Sequence, residues 1–455
     1  MFRTLALAAT AVALLSSAAN AEEIKLKLWT LADRNGPARI TNIEDAAAIL
    51  NSQYKAAGID KTIVIEVNNS GQKGWDDYAL DTLKAFAVNQ GPDIYLLPHE
   101  WIGQFATDGY AKALDEEIAA KPWVYGDVLP VLWNSVKGTD GKVYAIPQDA
   151  EIRMFFYNKD MLRKIGKDEA FIDAIPAKVE TGEFTLDDFT ALSKEVVEKG
   201  AAQYGMLHRP NVGIDYLMVF ASNGVKFTDE KTGKLLFPKK EMEAALSWYE
   251  RNAKEGVTPV DNTAMSWEAI QTAFKQEKAF VFHQGVWAVA WQVGDKLGAT
   301  WPTDGKGYFN KIGWIPAPAA EKGGKPANLS HPIAYAINPK GTNAAIAADL
   351  VALASLPYFN TKHAVSSYHT AISNAQTAMP DYKANWALEA ASPMMVHAKF
   401  VPNHTKFGSY NKVLFSGLQA VETGRMSAAQ AVEFIADELE VQFGSEVEIR
   451  DALAN

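Results

Sequence analysis

Three short runs, 24-IKLKL-28, 62-TIVIEV-67 and 93-DIYLL-97, set the fold class of this chain. Ile24-Lys25-Leu26-Lys27-Leu28 alternates apolar and polar residues with period two, as a half-buried strand does. Residues Glu44 to Ala57 then carry helical spacing and end near Gly58. Thr62 to Val67 is rich in β-branched residues and reads as the second strand. Tyr78 to Asn89 is helical again, and Gly91-Pro92 stops it. Asp93 to Leu97 is a short apolar run closed by Pro98, the pattern of a parallel strand buried on both faces. This βαβα alternation predicts an open α/β sheet. Ligands of such sheets bind beyond the carboxyl ends of the strands. The residues just past each strand therefore become candidates: Trp29 to Asn35, Asn68 to Trp75, and Pro98 to Trp101.

Further along, Thr139-Asp140-Gly141-Lys142 is a tight turn. Val143 to Pro147 and Met154 to Asn158 follow it as an extended stretch broken by Pro147, which suits a strand leaving one domain for another. Helical patterns dominate next: Leu186 to Glu198, Lys240 to Glu255 and Ser266 to Lys275. A second extended run, Ile312 to Pro316, precedes a Gly/Lys/Pro loop at 321–327 and a strand at Ile333 to Ile337. Near the end, Gly424 closes one helix and Ser427 caps another. Two crossover strands imply domains that are discontinuous in sequence. A chain of 455 residues also exceeds what one hydrophobic core holds, so two domains are expected.

Residues 1–21 read as a leader. Arg3 is a short basic region, Leu5 to Leu15 is apolar, and Ala19-Asn20-Ala21 is a small-x-small cleavage site, the pattern of a secretory signal peptide. The apolar run is too short to span a bilayer, which takes about 20 residues. There is no cysteine, hence no disulfide and no thiol for a lipid anchor. An exported protein without an anchor fits a periplasm. The formal net charge of −10 argues against nucleic acid or an anionic membrane as partner. Twelve tryptophans supply flat apolar faces, which match the C–H faces of sugar rings.

Catalytic patterns are missing. G-x-S-x-G, H-E-x-x-H and a Walker A loop do not occur. Without cysteine, zinc–thiolate sites and thiol nucleophiles are excluded. The eight histidines are scattered, with none paired at helical metal-ligand spacing, so no metal and no cofactor are expected. A glycosidase needs only two well-placed carboxyl groups, which leaves a glycan-active enzyme as an alternative.

Six motifs, in order, resemble the extracellular sugar-binding proteins of ABC importers, the group that includes maltodextrin-binding proteins. They are GPDIYLLPHEWIGQFATDGYAKALDE (91–116), GKVYAIPQDAEIRMFFYNKDMLRKIG (141–166), FTLDDFTALSKEV (184–196), AFKQEKAFVFHQGVWAVAW (273–291), GWIPAPAAEKGGKPANLSHPIAYAINP (313–339) and GLQAVETGRMSAAQAVEFI (417–435). The resemblance implies the α/β two-lobed periplasmic-binding-protein fold, with discontinuous domains, a hinge of crossover strands and ligand in the cleft. The first lobe would be residues 22–149 and 315–348, the second 150–314 and 349–455. It further implies a monomer that binds a sugar and docks on ABC permease subunits in the inner membrane. A polyol or glycerol phosphate is the alternative ligand.

The resemblance also assigns roles. Trp287, in Gly285-Val286-Trp287-Ala288, matches the Gly-x-Trp motif whose tryptophan stacks on the sugar. Glu151 and Asp149, just after Pro147, match hinge acids that accept ligand hydroxyls. Asp33 and Arg34 stand where maltodextrin binders carry an Asp-Lys pair, and Arg for Lys changes the donor geometry. Glu100 matches a first-lobe aspartate, and Trp101 replaces an arginine. Ser330-His331 replaces a pair of small residues at the second crossover, which brings His331 within reach of a ligand. Trp75 has no counterpart in the family; its place after the second strand suggests a stacking role or a lid.

Overall fold

The computed structural model describes residues 22–32, 36–70, 74–229 and 231–453. The leader, Asp33 and Arg34 lie outside the described residues. In chain order the first strands are β1 (Glu22–Thr30), β2 (Lys61–Asn69), β3 (Ile94–Pro98), β4 (Ile146–Pro147), β5 (Arg153–Asn158) and β6 (Tyr204–Leu207). They are followed by β7 (Leu235–Pro238), β8 (Ala279–Gly285), β9 (Ile312–Ile315), β10 (Asn328–Ser330), β11 (Ile333–Ile337), β12 (Ala398–Phe400) and β13 (Val447–Arg450).

Two sheets form two lobes. The first has the order β2-β1-β3-β11-β4 and the second β6-β8-β5-β9. β1 pairs parallel with both β2 and β3. Its Ile24, Leu26 and Leu28 are buried and its Lys25 and Lys27 exposed, the alternation read from the sequence. β3 is buried at every position. Three helices follow the first strands: α1 (Ala38–Ala56), α2 (Trp75–Ala87) and α3 (His99–Thr107). α1 begins well before Glu44, because Ala38, Arg39, Asn42 and Ile43 extend its buried face.

Both crossovers read from the sequence are present. One joins β4 to β5, the other β9 to β11 by way of β10. The chain also passes between the lobes a third time. Helices Ala344–Ala354 and Pro357–Ser367 pack against α1, and Ala347, Leu350, Val351 and Ala354 share a core with Leu26, Leu28 and Ile43. The first-lobe core thus continues past residue 348. After Ser367 the chain still lies along the first lobe and hinge, with Thr370 bridging to Ala150 and Ser373 to Val128, and its first buried residue in the second-lobe core is Ala387. The reason is local: the Ala-rich stretch 344–354 is apolar except for the exposed Asp349, and its wide apolar face needs a covered position. Among the described residues, no single helix is long and apolar enough to cross a membrane.

Strand register brings the hinge elements to one end of the first sheet. Pro98 at the end of β3 faces Ile333 at the start of antiparallel β11, and Pro147 faces Ala334. The His99 N–H donates to Pro332 O at 2.9 Å, and that of Gln148 to Ile333 O at 2.8 Å. Residues 98–101, 147–151 and 330–333 are therefore neighbours.

Candidate hinge site between the lobes

Two chains of polar contacts meet at this junction. Asp149 anchors one. Its Oδ1 accepts from the backbone N–H of Ile333 at 2.8 Å. Its Oδ2 accepts from Arg39 Nη2 at 3.0 Å and from His363 Nε2 at 2.9 Å. Burial alone would raise this carboxyl, but His369, His363 and Arg39 hold it well below the usual carboxylate range. Asp149 is 1% exposed, and both its oxygens have protein partners. The geometry makes it a clamp between β4, β11, α1 and the third passage. Trp75 belongs to the same clamp: the Arg39 guanidinium lies 5.3 Å from its ring centroid, and Tyr78 meets it edge-on at 5.8 Å.

The second chain crosses the cleft. Glu100 Oε1 accepts from His331 Nε2 at 2.7 Å. His331 Nδ1 lies 3.6 Å from Glu151 Oε2. Glu151 in turn pairs with Arg153 Nη1 at 2.7 Å and His369 Nε2 at 3.3 Å. Arg153 also reaches Asp215 through Nε at 3.1 Å. Burial opposes a charge on His331, but Glu100 and Glu151 on either side push its pKa up to about 10. Burial likewise works against both carboxylates; His331 keeps Glu100 low, and Arg153 with the two imidazoles keeps Glu151 well below its ordinary value.

Trp287 sits beside this chain because of β-sheet register. Arg153, first residue of β5, faces Gly285, last residue of β8. The Arg153 guanidinium lies 4.7 Å from the Trp287 ring centroid. His369 stacks on the same indole at 5.8 Å with 12° between planes. The Gly-x-Trp spacing acquires a physical reason here: a Cβ on Gly285 would collide with the indole. Trp287 remains half-exposed.

A cavity of about 180 Å³ opens beside Glu100. It is lined from the first lobe by Asp76, Glu100, Trp101 and Gln104, and from the second by His404, Thr405, Ser409 and Lys412. Trp101 Nε1 donates to Asp76 Oδ1 at 3.1 Å, and burial, with Glu100 nearby, raises the Asp76 carboxyl. A roomier groove of about 590 Å³ runs along residues 361–386, but none of its lining residues belongs to the hinge cluster.

The fold thus gathers Glu100, His331, Glu151 and Trp287 into one connected cluster. It places Trp101 in the adjoining cavity, and Asp149 and Trp75 in the clamp behind them. Sequence reading missed Arg39, Arg153, His363, His369 and Asp76. Arg153 stands first in a fully buried strand, a position where an arginine needs a partner, and that signal was available. It also missed that His99, Glu100 and His331 converge, with their ligand atoms within 4.8 Å of one another. Helical spacing is the wrong test for residues brought together by β3 and β11.

The architecture has many solved counterparts. The sugar-binding protein MalE from Xanthomonas citri superposes with a TM-score of 0.71 at 17% identity, covering 92% of this chain and all of that one. Maltose-bound MalE3 of T. maritima gives 0.69 at 20% identity, covering 92% and 99%. A maltotriose-binding protein of Pyrococcus abyssi is 24% identical over 244 residues, 53% of this chain and 46% of that protein. The chain spans about half the length of the curated relatives it matches. The model of the bacterial extracellular solute-binding protein family matches residues 44–357. With that match over most of its length, and with two lobes around a polar hinge cleft, the chain belongs to the bacterial extracellular solute-binding proteins.

Proposed function

We propose that the protein captures a sugar in its interlobe cleft and delivers it, by hinge closure, to an ABC-type importer across a periplasm. The observation that carries the reading is the cavity beside Glu100, which has carboxylates and an indole on one lobe and hydroxyls, an imidazole and an ammonium on the other. Carboxylates accept strongly from hydroxyls, and indole faces suit sugar rings. Contacts from both lobes favour the closed state. Trp287, partly exposed and linked to Glu151 through Arg153, is the second indole assigned to the ligand, and the names of the relatives point to maltodextrins as first candidates.

The cationic groups favour a neutral ligand. Arg39 is paired with Asp149, and Arg153 with Glu151 and Asp215. Among the described residues, a phosphate would find Lys412 and His404 as the basic groups of the cavity lining. A thermal-shift screen against maltose, maltotriose, other sugars, polyols and glycerol phosphate tests the reading. A ligand at 100 times its dissociation constant stabilises by about 2.7 kcal/mol. Stabilisation by glycerol phosphate alone, or turnover of a glycoside panel, would replace the proposal.

A further inference from the structure

We propose that His99, Glu100 and His331 form a binding site for a divalent first-row transition metal ion of the Zn2+ type, at the wall of the interlobe cavity. This goes beyond sugar binding and stands independently of it. The two imidazoles lie edge-on with ring centroids 5.6 Å apart, and Glu100 reaches both: Oε1 is 2.7 Å from His331 Nε2, and Oε2 is 3.4 Å from His99 Nδ1. The three ligand atoms lie within 4.8 Å of one another, a separation that small rotamer adjustments bring to the bond lengths of about 2.0–2.2 Å that zinc takes to nitrogen and oxygen.

Two features distinguish this cluster from a chance gathering. The first is the outer support of each imidazole. His99 Nε2–H donates to the Val401 carbonyl at 3.0 Å, so the lone pair of that neutral ring is on Nδ1, toward Glu100. His331 turns Nδ1 toward Glu151 at 3.6 Å and Nε2 toward Glu100, and the proton that Nε2 gives to Glu100 would leave to solvent as the ion binds, since a ligating imidazole nitrogen must be free of its proton. A carbonyl or carboxylate behind the non-ligating nitrogen is the usual arrangement around metal-bound histidine. The second is polar capacity left over. His99 is wholly buried, yet its Nδ1 has no hydrogen-bond partner, and neither has Glu100 Oε2. A cation between them would satisfy both.

Two histidines and one glutamate make a three-ligand set of the kind that leaves a zinc coordination position open. Glu100 also lines the interlobe cavity, so the ion would sit where a cleft ligand arrives. Asp149, His363 and His369 also converge, but the Arg39 guanidinium is already bonded to Asp149 and repels a cation there.

The test is a calorimetric titration of the chelator-treated full chain with ZnCl2, without sugar. Binding of one equivalent, weakened at least tenfold by Glu100→Gln and by His331→Asn but not by His397→Asn, supports the site. Absence of binding, or wild-type affinity in either variant, overturns it. Should either variant fail to fold, histidine-ring 15N spectra of the wild-type protein decide. Zinc-dependent shifts of His99 Nδ1 and His331 Nε2 support the site; shifts confined to His397 or His404 overturn it.

Discussion

Trp287→Ala is the most informative single change at the hinge. The indole has two ring partners, Arg153 at 4.7 Å and His369 at 5.8 Å, and is partly exposed. A fully buried tryptophan would cost about 3–5 kcal/mol on truncation. A half-exposed one forfeits less, and the Arg153 contact, partly desolvated, contributes about 1–2 kcal/mol of it. Arg153 keeps Glu151 and Asp215, so no charge is stranded. Folding stability should therefore fall by about 1–3 kcal/mol, leaving the protein folded. Loss of a sugar platform, in contrast, should cost about 2 kcal/mol or more of binding, a fall in affinity of roughly thirtyfold. Gly285→Ala keeps the indole but pushes it aside, since the new Cβ overlaps its ring. It should lower affinity too, with an overpacking cost of about 1–3 kcal/mol. Calorimetric titration with the sugar identified by thermal shift, and thermal melts of the same proteins, read the two quantities separately. Near-normal affinity in a destabilised Trp287→Ala protein would refute the assignment of this tryptophan to the ligand.

Asp149→Ala should act on stability, because it strands Arg39 in the interior; breaking such a buried pair costs about 3–5 kcal/mol, and a urea titration showing under 1 kcal/mol would remove the clamp role. The charge on His331 gives a pH signature. Its pKa is raised from its ordinary 6.5 to about 10, so its stabilising contribution is complete below pH 6.5 and is lost as pH climbs towards 10. Wild-type melting temperature should fall more steeply over that window than that of Glu100→Gln; parallel slopes would show that the pair carries no such linkage. Small-angle scattering should give a smaller radius of gyration with sugar than without, and an unchanged value would argue against closure. Mass spectrometry of exported protein should find Glu22 at the N-terminus; retention of Met1 would remove the leader assignment.

Sequence alone determined the first strands and helices and several later elements in their order, because local patterning encodes them, while short strands such as Tyr204–Leu207, Ala398–Phe400 and Val447–Arg450 were not read. Alternation at 24–28 became β1, and the apolar run before Pro98 became a wholly buried β3. Leu186–Glu198 and Ile333–Ile337 fall where periodicity put them, and Ser427 caps its helix through a full capping box. Gly285-x-Trp287 was legible as a motif, though the overlap that demands the glycine was not. Tertiary structure decided what the charged residues do. Asp149 and Glu151 are two residues apart and look alike in sequence. Register sends one into a clamp with Arg39, His363 and the Ile333 amide, and the other to the cleft beside Arg153 and His331. The return of helices Ala344–Ala354 and Pro357–Ser367 to α1 was equally hidden, since an apolar helix face does not specify which core receives it. Hydrophobic burial is non-directional and leaves a period in the sequence. Ion pairs and shared ligands depend on side chains meeting across hundreds of residues, as Glu100 and His331 do at a separation of 231, and no local pattern records such a meeting.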